Sequence, residues 1–420
     1  MHEMRDSGIE WVGAIPAAWG VHRIASHFQE IKEKNTANAY SNALQFKMGK
    51  IIAKPQKWDE DETNETYSAY TVVHPNTIMI NGLNLEFDFV TQRVARVECN
   101  GIITSAYIAL SPRDDINAEY ICYLLKSYDA CRAFHSMGRG LRKILSYSEL
   151  KNKPIVVPPL AEQERIAAFL DAECAEIDAV LEKTRASIEE YKKLKQAVIT
   201  QAVTKGIRGD RPMKDSGIEW IGEIPAEWDV VRIKNLFDYR NERNFKPLEE
   251  VNLISLYTDK GVVQHCDLDE TTGNKASNAD GYKLVYENDI VVNIILCWMG
   301  AIGRSAYFGV TSPAYDVYSP KQKTNSKFYH YLFRTNGFSG DCYKVGRGIM
   351  AMRWRTYSDQ FRAIKVVSPP QSEQEEIVEY LDEKCEGIDD LIAKKQQYLT
   401  EIENYKKSLI YEYVTGKREV

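Results

Sequence analysis

Residues 6–24 read DSGIEWVGAIPAAWGVHRI, and residues 215–233 read DSGIEWIGEIPAEWDVVRI, identical at 14 of 19 positions with a constant offset of 209. Chance does not produce such a pair, so the chain is an internal duplication. A second pair repeats further along. PPLAEQERIAAFLDAECAEID, from Pro158, is answered by PPQSEQEEIVEYLDEKCEGID, from Pro369, and IEEYKK at Ile188 returns as IENYKK at Ile402. Between these segments lie two stretches of nearly equal length, 22–157 and 231–368, that barely resemble each other. They share GRG (Gly138–Gly140 and Gly346–Gly348), a Tyr-Ser pair at Tyr147 and Tyr357, and an AYxxxSP tail ending at Pro112 and Pro320.

Two copies are too few for a solenoid, which needs three or more stacked units, so each half is expected to be a domain plus a connector. The boundaries fall at 1–157, 158–210, 211–368 and 369–420. A duplicated scaffold carrying divergent inserts is what holds two different readers in related positions. At 420 residues the chain has room for two or three domains, each with its own core. Its 44% apolar and 27% charged residues describe an ordinary globular protein. No apolar run approaches the ~20 residues of a membrane span, and the amino terminus has no basic-then-apolar signal. No membrane association and a cytoplasmic location are therefore expected. The eight cysteines form no C-x-x-C pair and no zinc-like grouping with the seven histidines, so free thiols and no metal are expected.

The charge distribution matters more than the total. Residues 160–210 carry a net −2 and 371–415 a net −7, which against the whole chain's −6 leaves +3 for everything else. Acid lies on the connectors and the inserts are mildly basic, which permits phosphate contact.

Both connectors read as long helices. Ile177, Leu181, Thr184, Ile188, Tyr191, Leu194 and Val198 recur at three- and four-residue steps with no Pro or Gly before Gly206. In the second connector Ile388, Ile392, Leu399, Ile402, Leu409 and Tyr413 do the same before Gly416. These are coiled-coil seams. Pro369-Pro370 precedes the second, and Ser372 with Glu375 reads as a capping box. At 1.5 Å per residue each helix is about 65 Å long. Neither can bury a one-sided stripe alone, so antiparallel pairing with the variable domains at opposite ends is expected. IEEYKK and IENYKK stand three residues apart in helix register, so the symmetry is imperfect.

The variable domains read as mixed α/β. Residues 71–82 and 283–303 are β-rich runs broken by turn residues. Residues 116–134 and 325–343 have helical spacing, their aromatics serving the core. GRGLRK (138–143) and GRGIMAMRWR (346–355) follow. Glycines there expose backbone beside Arg139, Arg142 and Lys143, or Arg347, Arg353 and Arg355, and the Arg fork grips phosphates and guanine edges. These are the candidate DNA-contact residues, set against a plain glycine turn with solvated arginines.

Catalytic signatures are missing. There is no G-x-x-x-x-G-K-S/T loop, no H-E-x-x-H and no N/D-P-P-Y/F motif. Gly300-Ala301-Ile302-Gly303 reads as a turn or strand end, and His74 and His135 as structural.

Two copies of SGIEWxGxIPxxW, each opening a variable domain that closes in PPxxEQxxI and a long helix, resemble the specificity subunit of type I restriction-modification systems over essentially the whole chain. The resemblance implies an α+β architecture of two target-recognition domains in tandem pseudo-symmetric repeat, separated by two long antiparallel coiled-coil helices. It implies a non-catalytic reader of double-stranded DNA, each domain reading half of a bipartite asymmetric site. The partners implied are two modification subunits, which methylate adenine N6 with S-adenosylmethionine, and two restriction subunits using ATP with Mg2+. This chain would bind no cofactor itself. A coiled-coil scaffold whose globular domains bind proteins, and an enzyme with an unfamiliar site, are the competing readings.

Overall fold

The computed structural model describes residues 3–55, 67–86, 92–138, 143–265, 278–348 and 354–420. Two compact units emerge, and their boundaries cross the connectors: one comprises Met1–Arg185 with Gln396–Val420, the other Ala186–Lys395. The first unit is thus assembled from both ends of the chain.

Although their sequences have diverged, the variable stretches have one topology. In the first unit a four-stranded antiparallel sheet runs Phe28–Glu30, Ile108–Pro112, Ile78–Ile80, Val94–Arg96. In the second the order is Phe237–Arg240, Tyr315–Pro320, Ile290–Asn293, Ile302–Arg304. What the two share is burial on both faces. Successive side chains point to opposite sides of a strand. Accordingly Ile78 and Ile80 enter the large core beneath the helix Ala118–Ala130, while Met79 enters a smaller one with Leu44, Val73 and Ile103. Ile290 and Val292 likewise face one core of the second unit and Val291 the other. The smaller core of each unit includes residues from two two-stranded pairs: Leu44–Lys47 with Lys50–Ala53 and Thr71–Val73 with Gly101–Ile103, then Ile254–Tyr257 with Gly261–Gln264 and Lys283–Val285 with Gly309–Thr311.

The single helix expected over 325–343 is two, Ser326–Phe333 and Asn336–Val345. Thr335 stops the first and caps the second, its hydroxyl accepting from the Phe338 N–H at 3.3 Å.

The repeated motifs form a lock. In SGIEWxG both glycines are left-handed, Gly8 and Gly13 at φ +70° and Gly217 and Gly222 at +66° and +67°, a conformation a Cβ would strain. The tryptophan of IPxxW donates to the glutamate of PPxxEQ: Trp19 to Glu162 at 3.0 Å, Trp228 to Glu373 at 2.8 Å. The neighbouring glutamine closes two backbone gaps at once. Gln163 donates to the Pro158 carbonyl (2.9 Å) and accepts from the Asn117 N–H (2.9 Å); Gln374 does the same with Pro369 (2.8 Å) and Asn325 (2.9 Å). Replacing Gln374 with Leu orphans a buried carbonyl and the Asn325 N–H, so chemical denaturation should show a loss of about 2–4 kcal/mol.

The central helix spans Leu160–Lys205 and the C-terminal helix Gln371–Val414. The pair runs antiparallel in each unit: Asp178 meets Lys406 and Arg185 meets Glu403 in the first, and Lys195 meets Asp389 in the second. Exposed pairs of this kind contribute little stability but report register. Ile177, Leu181, Ile188, Tyr191, Val198, Ile388, Ile392, Leu399, Ile402 and Leu409 are all buried or half-buried. Leu194 is not, at 48% exposed. The seven-residue phase through Ile188 and Tyr191 lands on Lys195, whose stem packs while its ammonium reaches Asp389. The capping box is also absent. Helix begins at Gln371, so Ser372 lies inside the first turn, and the Pro370 carbonyl accepts from Glu373 and Gln374.

The helix ends complete the duplication. Lys205 donates to the carbonyls of Ile221 and Glu223, and Lys417 to those of Val12 and Ala14, the same places in the two motif copies. The Tyr120 hydroxyl donates to the Val414 carbonyl at 3.0 Å, sealing the C-terminal helix onto the first unit.

Candidate nucleic-acid interface

In each unit two loops meet at one end of the four-stranded sheet. In the second unit the glycine-arginine segment folds back on itself, Arg347 and Arg355 exchanging both backbone hydrogen bonds at 2.8 and 3.0 Å. Directly opposed residues in such a pair present their side chains on one face. Both guanidiniums are exposed, and neither has an acidic partner among the described residues. Lys344 nearby is different: Glu219 pairs with it at 2.8 Å, and that contact holds its pKa above the usual lysine value. The two arginines therefore keep uncompensated charge, which like-charge opposition alone would disfavour.

Packing fixes this arch from below. Thr356 donates its N–H to the Ile294 carbonyl at 2.9 Å and its hydroxyl to the Cys342 carbonyl at 2.9 Å, tying the arch to the sheet end and to the preceding helix. Trp354 stacks on Tyr343 with centroids 4.9 Å apart and planes 21° apart, and Tyr343 leans on Trp298 at 5.6 Å. A Cβ at Gly346 would lie 2.4 Å from the Trp354 Nε1, so the first glycine of this GRG is there to admit the indole. Beside the arch, Arg334 clamps the Ile254–Gln264 hairpin. Its guanidinium donates to the carbonyls of Thr258 (2.9 Å), Asp259 (2.8 Å) and Ile302 (3.0 Å), and burial lowers its pKa from the usual value.

The first unit builds the same end with other residues. Lys143 is exposed, at φ +39°, and its carbonyl accepts from the Leu85 N–H at 3.3 Å. Leu145 donates to the Gly82 carbonyl at 2.9 Å, the counterpart of the Thr356 contact. Arg93, fully buried, gathers the carbonyls of Asn81 (3.1 Å), Leu83 (2.7 Å) and Asn84 (3.3 Å), bracing the loop after Ile78–Ile80, where Arg334 braces a hairpin. Arg139, Arg142 and Arg353 lie outside the described residues.

One basic element escaped the sequence reading. The hairpin Leu44–Lys47 to Lys50–Ala53 sets Lys47 opposite Lys50, both exposed, with Met48 55% exposed at the tip. Its tip is held at this end of the sheet, since a Cβ on Gly49 would strike Gln92, next to Arg93. The only signal was Met-Gly between two four-residue β runs.

The nearest approach to a catalytic relay among the described residues is His22–His27–Asp115, linked at 2.8 and 2.7 Å. Its outer histidine is exposed and has no hydroxyl or thiol partner among the described residues, which makes the group a polar tie with His27 buried at its centre. The described cysteines are free thiols, and no helix among the described residues is long and apolar enough to cross a membrane.

Known proteins resemble this chain over most of its length. The family model described as type I restriction modification DNA specificity domain matches residues 99–190 and 225–403. The type I restriction enzyme MjaVIII specificity subunit of Methanocaldococcus jannaschii is 25% identical, over 97% of this chain and 94% of its own. A chain from a structure concerned with assembly and conformational transition of a type I R-M system superposes with a TM-score of 0.70 at 12% identity, covering 96% of this chain and 99% of that one. That likeness extends the resemblance to the fold.

Proposed function

The chain belongs to the type I restriction modification DNA specificity family, and from that premise we propose that each unit reads one half of a bipartite, asymmetric site on double-stranded DNA while the helices hold the modification subunits. The observation that carries the reading is the contrast within the duplication. Strand order and locks are the same in both units, whereas the sheet-end loops differ. One presents Lys47, Lys50 and Lys143, the other Arg347 and Arg355 above an aromatic stack. A common frame with unlike tips is what two different half-sites require. Phosphate contacts position a protein on the duplex, and base-edge contacts specify.

Arg347 and Arg355 are the phosphate pair in this reading, with Arg139, Arg142, Lys143 and Arg353 in the same contact set. Replacing either Arg347 or Arg355 with Ala should weaken binding to all sequences and lower the salt slope by about 1. A gel shift of the complex with its modification subunits across a salt series measures this. Unchanged affinity and slope in both variants would reduce the arch to turn structure.

The chain itself performs no chemistry in this reading. Methyl transfer to adenine N6 requires the base to leave the stack and enter a pocket, which belongs to the modification subunit with its S-adenosylmethionine. Two modification subunits assemble on the chain, and two restriction subunits with ATP and Mg2+ add cleavage. The helices carry a matching docking feature. Leu391, Tyr398 and Tyr405 recur every seven residues outside the seam, 43%, 48% and 54% exposed. Val180 and Leu194, at 40% and 48%, occupy the corresponding positions of the other helix, shifted by the 211 residues that separate Pro158 from Pro369. Two related surfaces, with Ser187 on the first where Tyr398 stands on the second, suit two copies of one partner. Tyr398→Glu with Tyr405→Glu should abolish co-purification of one modification subunit and leave the chain folded, as mass photometry and circular dichroism would show. Full assembly would place the docking surface elsewhere.

A further inference from the structure

The second unit carries an apolar apex at the end of its four-stranded sheet. Directly after the strand Ile290–Asn293 the chain makes a 3-10 turn, Cys297–Met299, closed by Gly300 at φ +88°. Three backbone hydrogen bonds hold it: Met299 and Ala301 N–H to the Leu296 carbonyl at 2.9 and 3.1 Å, and Gly300 N–H to that of Cys297 at 2.9 Å. Cys297 is fully buried beneath, whereas Met299 is 53% exposed at the top. Trp298, next to it, begins the aromatic row that runs through Tyr343 to Trp354 and ends at the arginine arch. At the same point the first unit reads Asn81-Gly82-Leu83-Asn84-Leu85; Arg93 draws this loop inward, and Leu85 is 1% exposed.

A rigid turn that exposes an unbranched thioether, braced by aromatic rings and flanked by two guanidiniums with no acidic partner among the described residues, has the chemistry of a DNA wedge. Apolar side chains of this kind enter between base steps, partly unstack them and bend the duplex, and cations beside them grip the adjoining phosphates. Resting on the DNA-reading function proposed above, we propose that Met299 is pressed between two base pairs of the half-site read by the second unit, with Trp298, Tyr343 and Trp354 as its brace and Arg347 and Arg355 on the flanking phosphates. Charge decides between possible occupants, because the arginines favour a polyanion over an apolar protein face.

The test uses the chain assembled with its modification subunits and a duplex carrying the methylated site, with 2-aminopurine placed in turn at each adenine. Unstacking brightens the probe. The adenine turned out for methylation should brighten in each half-site, and one further position should brighten in the second half-site. Met299→Leu should keep that extra signal. Met299→Asn should remove it, weaken binding and leave the salt slope unchanged, since no phosphate contact is lost. Binding with normal methylation but no Met299-dependent signal would overturn the wedge and spare the DNA-reading function. Failure of the wild-type complex to bind any duplex would overturn that function itself. Loss of the modification subunits in Met299→Asn would show the apex to be a protein contact, also overturning the wedge.

Discussion

Exchanging residues 22–157 for the corresponding segment of a relative should rewrite one half of the methylated DNA motif and leave the other half as it was. The locks explain why such an exchange is tolerated. Trp19, Glu162 and Gln163 all stand outside the exchanged stretch, and what Gln163 takes from inside it is main chain, the N–H of residue 117 and the carbonyl of residue 115. The strand Gly20–Arg23 likewise meets Pro154–Val157 through main-chain ladder bonds. Main-chain partners do not depend on side-chain identity, so the insert can diverge while its frame remains closed. Long-read methylome sequencing of cells carrying the hybrid gives the answer. A motif changed in both halves would mean that the units do not read separately, and the two-reader function would fall.

The same locks show where sequence reading stopped. The duplication and both helices were legible because each is a local pattern: identity at a fixed offset, and apolar residues at three- and four-residue steps. The purpose of the repeated motifs was not, because Trp19 and Glu162 are 143 residues apart and nothing in either motif names the other. The shared strand order was hidden for a related reason. Only inward and outward alternation is common to Ile78–Ile80 and Ile290–Asn293, and many residues satisfy it. Leu194 was misplaced because hydrophobicity was weighed above phase, yet phase puts Lys195 in the seam and its four-carbon stem suffices there. The candidate contact arginines were read from glycine spacing. The Lys47–Lys50 hairpin was missed because its strands are too short to show alternation, and Met299 because an apolar residue in a short turn reads as core.

Lengthening both long helices by one heptad should widen the gap between the two half-sites and leave the bases read at each end unchanged. The antiparallel pairing dictates that the insertion be double. Arg185 on the central helix faces Glu403 on the C-terminal helix, and the first unit is fastened to both, through Gln163 on one and the Val414 carbonyl on the other. Four residues added near Thr184 alone would lengthen one helix by about 6 Å. Its partner would not follow, and a four-residue insertion shifts the seam phase. Such a variant should lose activity, with no new spacer. Seven residues placed after Arg185 and seven before Glu403 preserve the phase and add about 10 Å to each helix. DNA rises 3.4 Å per base pair, so the preferred spacer should grow by about three base pairs. Methylome sequencing of cells carrying the double insertion reads both spacer and bases. Full activity on an unchanged spacer would show that something other than these helices sets the distance.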